Sequence, residues 1–138
     1  WLSRVLGLDY GERRIGIALS DPLGIIAKPF TVLDRKIRPD YISQLSEIIL
    51  NKQVTAVVVG LPLTLMGKNS KQTEIVVSFI NQLKATLSVP VITIDERLSS
   101  VAAEKSLQEQ SIKTGHNKGR IDETAAAIFL QEYLDSIV

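Results

Sequence analysis

Four acidic residues stand where a fold could bring them together. Asp9 closes an apolar run, Asp95 and Glu96 follow a second apolar run, and Asp122 precedes small residues in a late helical segment. Carboxylates grouped at one point are the usual protein ligands of hard divalent cations such as Mg²⁺. We therefore predict a carboxylate site that holds divalent cations against a phosphodiester.

Grouping such acids carries an electrostatic penalty. Two carboxylates about 4 Å apart repel by roughly 4 kcal/mol at an effective dielectric constant near 20. That repulsion is comparable with much of a domain's net stability of about 5 to 15 kcal/mol. Bound cations remove the penalty, because the metal is then the largest local charge. A fold that keeps such a cluster therefore indicates a use for it.

Length and composition limit the classes of protein to be considered. A chain of 138 residues fits one ordinary domain, so we predict a single domain over 1–138. No apolar stretch reaches the length of a membrane span, and no basic segment precedes a short apolar one with a cleavage site, which favours the cytoplasm. Cysteine is absent, so any metal must be held by oxygen atoms or by His116. The net charge of +1 means that nucleic-acid binding must depend on local basic patches.

The pattern along the chain predicts three meandering strands followed by strands that alternate with helices. Gly11 should supply a positive φ in the first hairpin, and Pro29 should keep the third strand at an edge. The predicted strands are 4–10, 14–20, 28–34, 54–60 and 91–94; the predicted helices are 38–51, 69–86, 99–110 and a last one to 136, after a polar loop to 119. These elements imply an α/β fold with a mixed five-stranded sheet and helices on both faces.

Strand alternation surrounds Asp9 with small residues. In the first strand Gly7 shares its face, and in the second strand Gly16 and Ala18 lie together on one face. A carboxylate that receives a metal and a phosphate needs this clearance, which glycine supplies. The alternative is that Asp9 only begins a turn.

Asp95 and Glu96 end a buried strand. In open α/β sheets the ligand crevice lies at the carboxyl ends of the parallel strands. Adjacent strand residues face opposite ways, so one acid should be a ligand and the other its support, and we favour Glu96 as the ligand. The alternative is a helix start in which Asp95 or Ser99 caps and Arg97 pairs with a neighbouring acid.

Asp122 stands in the first turn of the last predicted helix. Ala125 and Ala126, one turn on, are small enough for that turn to approach the sheet, so the acid could reach Asp9. The helix dipole favours the ionised form by about 0.3 to 1 kcal/mol. The alternative is ordinary helix electrostatics without a ligand role.

Basic residues near these acids could hold a phosphate backbone. The polar segment 113–120 could close on a substrate as a mobile loop, or it could be an ordinary solvated surface. The glycine-containing segment 60–70 does not have the spacing of a nucleotide phosphate loop, although its lysine could still contact a phosphate. The candidate nucleic-acid contacts are Arg13, Arg14, Lys68, Arg97, Lys113, His116, Lys118 and Arg120.

Four ordered motifs resemble those of the YqgF/RuvX family of pre-16S rRNA nucleases, which are also described as Holliday-junction-resolvase-like. The motifs are residues 8–11 with 14–18, 59–63, 95–99 and 117–122, and the resemblance covers essentially the whole chain. It implies an RNase H-like fold and metal-dependent phosphodiester hydrolysis. By position, Asp9, the pair Asp95 and Glu96, and Asp122 match the family's acidic site. Glu123 could be a fourth acid, but adjacent helical positions diverge by about 100°, so we do not count it in the site.

The resemblance implies hydrolysis with two Mg²⁺ or Mn²⁺ ions and Asp9 as their shared ligand. The expected substrate is nucleic acid, with the 5′ end of the 16S rRNA precursor favoured over branched DNA, and the expected assembly is a monomer or a weak homodimer. Two other classes stay open. One is a non-catalytic nucleic-acid-binding module. The other is an actin-like nucleotide-hydrolysing domain, which Asp9, Gly11 and Gly16 resemble in spacing, although that fold normally needs two such domains.

Overall fold

The computed structural model describes residues 4–11, 13–61, 71–95 and 118–137, with side chains in the last range from residue 125 onward. The strands are β1 (Arg4–Tyr10), β2 (Arg14–Ser20), β3 (Ala27–Asp34), β4 (Val54–Leu61) and β5 (Val91–Asp95), and the helices are α1 (Tyr41–Asn51), α2 (Lys71–Thr86) and α3 (Lys118–Ser136). None of these described helices is long and apolar enough to cross a membrane.

The strands form one mixed sheet in the order β3-β2-β1-β4-β5. The first three strands pair antiparallel as a meander, whereas β4 lies parallel to both β1 and β5. The predicted five-stranded mixed sheet is therefore confirmed. β3 lies at an edge, as Pro29 predicts, because proline lacks the N–H that a central strand donates on both sides.

Helices cover both faces of the sheet, as predicted. One face is covered by α1 and α2 and the other by α3. The α1/α2 face has large side chains from every second residue of the strands, as the alternation of a pleated sheet requires. Its most buried members include Leu6, Leu8, Ile15, Ile17, Val57 and Val59 from the sheet and Leu45, Phe79 and Leu83 from the helices.

Three details differ from the sequence prediction. The first helix begins at Tyr41 and not at 38, because Pro39 disfavours a helical conformation in the residue before it. The last helix begins at Lys118, inside the segment predicted as a loop. Gly11 is not in the left-handed region, since the described positive φ angles are at Gly24 and Gln53. The predicted helix over 99–110 lies outside the described residues.

Gly11 is nevertheless required by the hairpin for a steric reason. Its N–H donates to the carbonyl oxygen of Arg14 at 2.8 Å. A Cβ atom on Gly11 would lie 2.7 Å from that same oxygen, which is closer than real Cβ contacts come. The turn between β1 and β2 therefore needs a residue without a side chain, although not one with a positive φ.

Candidate active site

Asp9 is a buried carboxylate near the carboxyl end of β1. Its side chain is 4% exposed, and it lies on the α3 face of the sheet together with Val5 and Gly7. Gly16 pairs with it on the β2 side. Continuing the β1/β4 register by one residue puts Gly60 at the same level on the other side. The carboxylate therefore stands in a row between two glycines.

These small residues let α3 approach the sheet closely. A Cβ atom on Gly7 would lie 2.9 Å from both the carbonyl oxygen of Ala126 and the Cβ of Leu130. A Cβ atom on Gly60 would lie 2.5 Å from the ring of Phe129. At Gly7, the clearance that the sequence suggests as room for a ligand is therefore filled by the helix.

The direction of α3 puts its N-terminal end beside Asp9. Gln131, near the other end of the helix, accepts from the N–H of Ala27 at 2.8 Å, and Ala27 pairs with Ser20 at the far end of β2. Ala126, nearer the N-terminus, lies over Gly7. A further turn toward the N-terminus advances about 6 Å, and the two residues from Gly7 to Asp9 advance about 7 Å in the same direction. The backbone at position 122 and Asp9 therefore lie at the same end of the same face.

Asp95 lies on the opposite face of the sheet. It pairs with Leu61, whose side chain packs with the α1/α2 core, whereas Ile92 and Ile94 pack with the α3 core. Ile94 is in the row that contains Gly60 and Asp9. Asp95 and Asp9 therefore lie at the same end of the sheet, at the carboxyl ends of their strands, but on opposite faces. Glu96 lies outside the described residues.

The described basic candidates separate into two environments. Arg13 Nε lies 3.0 Å from Asp34 Oδ2, in an ion pair whose side chains are 51% and 21% exposed. Arg14 begins β2 and shares the α3 face with Gly16, one pleat beyond the row of Asp9. Arg14 is therefore the described cation best placed to contact a phosphate bound at Asp9.

The side chains of the remaining basic candidates are not among those that the structure describes. Lys118 and Arg120 are described only as backbone, in the first turn of α3. The candidates at other positions lie outside the described residues; they are Lys68, Arg97, Lys113 and His116.

Sequence reasoning missed Arg35, which fixes the turn after Asp9. Its guanidinium carbon lies 4.4 Å from the ring centroid of Tyr10, and Nη1 donates to the carbonyl oxygen of Gly11 at 3.2 Å. Phe79 of α2 stacks on Tyr10 with ring centroids 4.1 Å apart. No sequence signal indicates this contact, because Arg35 is separated from Gly11 by most of the hairpin and β3.

Tyr10 acts in this cluster as a neutral anchor. Burial, together with a hydrogen bond with Tyr41, raises the pKa of the Tyr10 phenol to about 12, while the charge of Arg35 opposes the change. The phenol therefore keeps its proton at neutral pH. It contributes packing and a hydrogen bond, and it is not poised to exchange a proton with a substrate.

The described donor atoms suit a hard cation. Among the residues with described side chains, no three His, Asp or Glu side chains form a group that could hold a metal. Two of the predicted ligands, Glu96 and the side chain of Asp122, lie outside that set, so the three-acid site stays a prediction. Asp9 offers carboxylate oxygen, the ligand type that Mg²⁺ and Mn²⁺ prefer.

Comparison with known protein families identifies the chain's relatives. The model of the family described as RuvX: Holliday junction resolvase matches residues 3–136. A Roseiflexus sp. (strain RS-1) protein named "Putative pre-16S rRNA nuclease" is 44% identical over 133 residues, covering 96% of this chain and 94% of the relative. A Clostridium novyi (strain NT) protein of the same name is 41% identical over 134 residues, covering 97% and 99%.

Solved structures confirm the RNase H-like fold class. T. thermophilus RuvC in complex with a Holliday junction substrate matches with a TM-score of 0.62 at 14% identity, covering 98% of this chain and 95% of that one. The fowlpox virus Holliday junction resolvase matches with a TM-score of 0.53 at 12% identity, covering 98% and 99%. The sequence motifs, the family model and the near full-length relatives agree, and the chain belongs to the RuvX family.

Proposed function

We propose that the protein is a metal-dependent endonuclease that hydrolyses phosphodiester bonds, with the 5′ end of the 16S rRNA precursor as its substrate. The observation that carries this proposal is Asp9, a carboxylate that is 4% exposed at the carboxyl end of a central strand. Burial of a carboxyl group costs free energy, and the carboxyl ends of strands in open α/β sheets are where ligands bind. The names of the relatives supply the substrate class, and the cytoplasm is the compartment in which we place the reaction.

Asp9, Glu96 and Asp122 would hold the metal ions. Glu96 is preferred to Asp95 because strand alternation turns the side chain of Asp95 to the opposite face. Asp122 is included because its helix end and Asp9 lie at the same end of the sheet. Two bound divalent ions would supply an activated water molecule and stabilisation of the leaving oxygen.

The chain's own residues would position the substrate. Arg14 would bind a phosphate next to the cleaved bond, since it lies one pleat from Asp9 on the same face. The clamp of Arg35 and Tyr10 would hold the turn that follows Asp9, so that the carboxylate does not move when substrate binds. Lys118 and Arg120, in the first turn of α3, would bind the flanking backbone as the family pattern implies.

A second candidate is resolution of branched DNA. The matching family model carries the description Holliday junction resolvase, which gives this substrate a specific basis. Symmetric cleavage of a four-way junction needs two active sites related by a two-fold axis, and therefore a dimer. A monomeric active protein would therefore argue against symmetric junction cleavage, whereas a dimer would be compatible with either substrate.

A direct test offers both substrates to the purified protein with Mg²⁺ or Mn²⁺. One substrate is a single-stranded RNA with the sequence of a precursor end, and the other is a synthetic four-way DNA junction. The proposal expects cleavage of the RNA, none with chelator, and none with Asp9→Asn. Paired symmetric cuts in the junction by a dimeric species would replace the RNA proposal with the resolvase.

Calorimetry with Mg²⁺ tests the metal site without any substrate. The proposal expects heat of binding for the wild-type protein and its loss in Asp9→Asn. A protein that binds RNA but neither Mg²⁺ nor Mn²⁺, and that cleaves neither substrate, would be a non-catalytic binding module. An actin-like activity would instead appear as nucleotide hydrolysis without nucleic acid.

A further inference from the structure

A pocket lies at the opposite end of the sheet from Asp9. Three cations line this distal basic pocket, Arg4, Lys28 and Lys52, and it encloses about 350 Å³. Arg4 begins β1 and Asp9 stands near its end, so the rise of a β-strand separates them by about 17 Å. The pocket also opens on the α1 side, because Lys52 follows the last turn of α1 and Leu19 belongs to that core. It is therefore separate from the predicted metal site.

An exposed aromatic ring stands among these cations. Phe30 is 40% exposed, and Lys52 Nζ lies 5.5 Å from its ring centroid. The β2/β3 register shifts at this point, because Ile17 pairs with Thr31 and Ala18 pairs with Pro29. Phe30 is thus the extra residue of a β-bulge, a device that redirects a side chain. The bulge turns an aromatic residue of an edge strand toward a basic pocket.

Among the described residues that line the pocket, one acid faces the three cations and does not cancel their charge. Asp21 lines the pocket, but its Oδ1 accepts from the N–H groups of Ile25 at 2.7 Å and Ile26 at 3.0 Å. The Asp21 carboxylate therefore stabilises the turn between β2 and β3 through these hydrogen bonds. Three cations against one acid leave a net positive pocket with an aromatic face.

We infer that the distal basic pocket binds a single-stranded segment of the nucleic-acid substrate that flanks the cleaved region, an inference that rests on the proposed nuclease function. Phosphates pair with Arg4, Lys28 and Lys52, and a base stacks on Phe30. Basic grooves that contain exposed aromatic rings are the usual binding surface for single strands, because every base has a face that can stack. The separation from Asp9 means that only a substrate long enough to reach both places gains from the pocket.

The test measures binding of a long single-stranded RNA by fluorescence anisotropy as a function of salt, in chelator so that cleavage is absent. Lys28→Ala and Lys52→Ala are each expected to lower the salt slope by about 0.7, the value for one phosphate contact on a single strand. Phe30→Ala is expected to weaken binding at least about fivefold, as loss of one base stack does. Phe30→Trp keeps a ring and is expected to bind like wild type.

Lys84→Ala is the matched control, since Lys84 is an exposed lysine on α2 that does not line the pocket. It is expected to leave the salt slope unchanged. Thermal melting checks that every variant is folded. If Lys28→Ala and Lys84→Ala change the slope equally, or if Phe30→Ala binds like wild type, the pocket is an ordinary charged surface and the inference is overturned. Displacement of the RNA by an acidic polypeptide at equal charge concentration would overturn it as well.

Cleavage assays separate failure of this inference from failure of the proposed function. With an active wild-type protein, the pocket variants are expected to raise KM for long RNA, leave kcat unchanged, and leave short RNA unaffected. If wild type cleaves but the variants show no difference in KM or in binding, the pocket inference is wrong and the nuclease stands. If wild type cleaves nothing while the variants still lose RNA binding, the nuclease proposal fails and the binding surface stands.

Discussion

The two faces of the sheet differ in the size of the side chains that cover them. The α1/α2 face carries fully buried leucine, isoleucine and valine from β1, β2 and β4, packed against leucine and phenylalanine from the helices. The α3 face carries Gly7, Gly16, Ala18 and Gly60 on the same strands, beside the buried Val5 and Val58, and it packs against Ala126, Leu130 and Leu134 of the helix. In β2 and in the second half of β1, large residues on the α1/α2 face therefore alternate with small residues or Asp9 on the α3 face.

This difference separates stability from chemistry. Apolar burial stabilises by roughly 25 cal/mol per Å², so the face with the larger side chains provides most of the driving force for folding. The smaller side chains on the α3 face bury less apolar area, and they allow α3 to approach the strands closely. Asp9 is the one buried carboxylate among the described side chains, and it lies on this second face. Four predictions test how complete the separation is.

The largest effect is expected from Asp9→Asn. Cleavage should fall at least about a hundredfold, since bound metal supplies several kcal/mol of transition-state stabilisation. The free energy of unfolding without metal should stay the same or rise, because in the proposed site this charge would repel those of the other acids. Cleavage rates and urea unfolding in chelator measure the two quantities. Asp95→Asn is the matched control on the opposite face and should keep most of the activity; a clear loss of metal-free stability in Asp9→Asn would instead make Asp9 structural.

Leu8→Ala tests the other face at the neighbouring position. Leu8 is fully buried, and its truncation should cost about 2 to 5 kcal/mol of unfolding free energy. The cleavage rate per folded molecule should not change, because the side chain points away from Asp9. Denaturant unfolding and activity at a temperature well below the transition measure both. Leu50→Ala, on an α1 residue that is 76% exposed, should change stability by less than about 0.5 kcal/mol.

Gly60→Ala tests the close approach of α3. The new Cβ atom would lie 2.5 Å from the Phe129 ring, and such overpacking typically costs about 1 to 3 kcal/mol. Phe129→Leu combined with Gly60→Ala should restore part of the loss, because the smaller side chain makes room for the methyl group. A double-mutant cycle on the unfolding free energy measures that coupling. Additive losses would show that the ring and the glycine do not limit the helix position.

Much of the fold follows from patterns in the sequence. The alternation of β1 and β2 and the valine run of β4 predict strands within one residue of those observed, because burial on one face or both directly sets residue type. The edge position of β3 follows from Pro29 for a similarly local reason. The same alternation predicts that Asp95 and Glu96 face opposite ways. Asp95 lies on the face opposite to that of Asp9, and the position of Glu96 stays a prediction.

Other features depend on contacts between distant segments. A glycine at position 7 is expected both where a ligand needs room and where α3 packs closely, so the sequence does not distinguish a ligand site from helix packing. Arg35 ties Gly11 to Tyr10 across the hairpin, and an arginine after a strand carries no local mark of that role. The Phe30 bulge depends on the register between two strands, which composition does not show. The joint position of the acids beyond Asp9 stays a prediction.

The smallest effects are expected from the neighbouring arginines of the first hairpin. Arg14→Ala should weaken binding of single-stranded RNA and lower the salt slope by about 0.7, because Arg14 lies on the face of Asp9. Arg13→Ala should leave the slope unchanged and lower the unfolding free energy only slightly, as loss of an exposed ion pair does. Anisotropy titrations over a salt series measure the salt slope, and denaturant unfolding measures the free energy of unfolding. Equal slopes for the two variants would mean that the ion pair with Asp34 opens when RNA binds, and the face of the sheet would then not decide which arginine contacts the substrate.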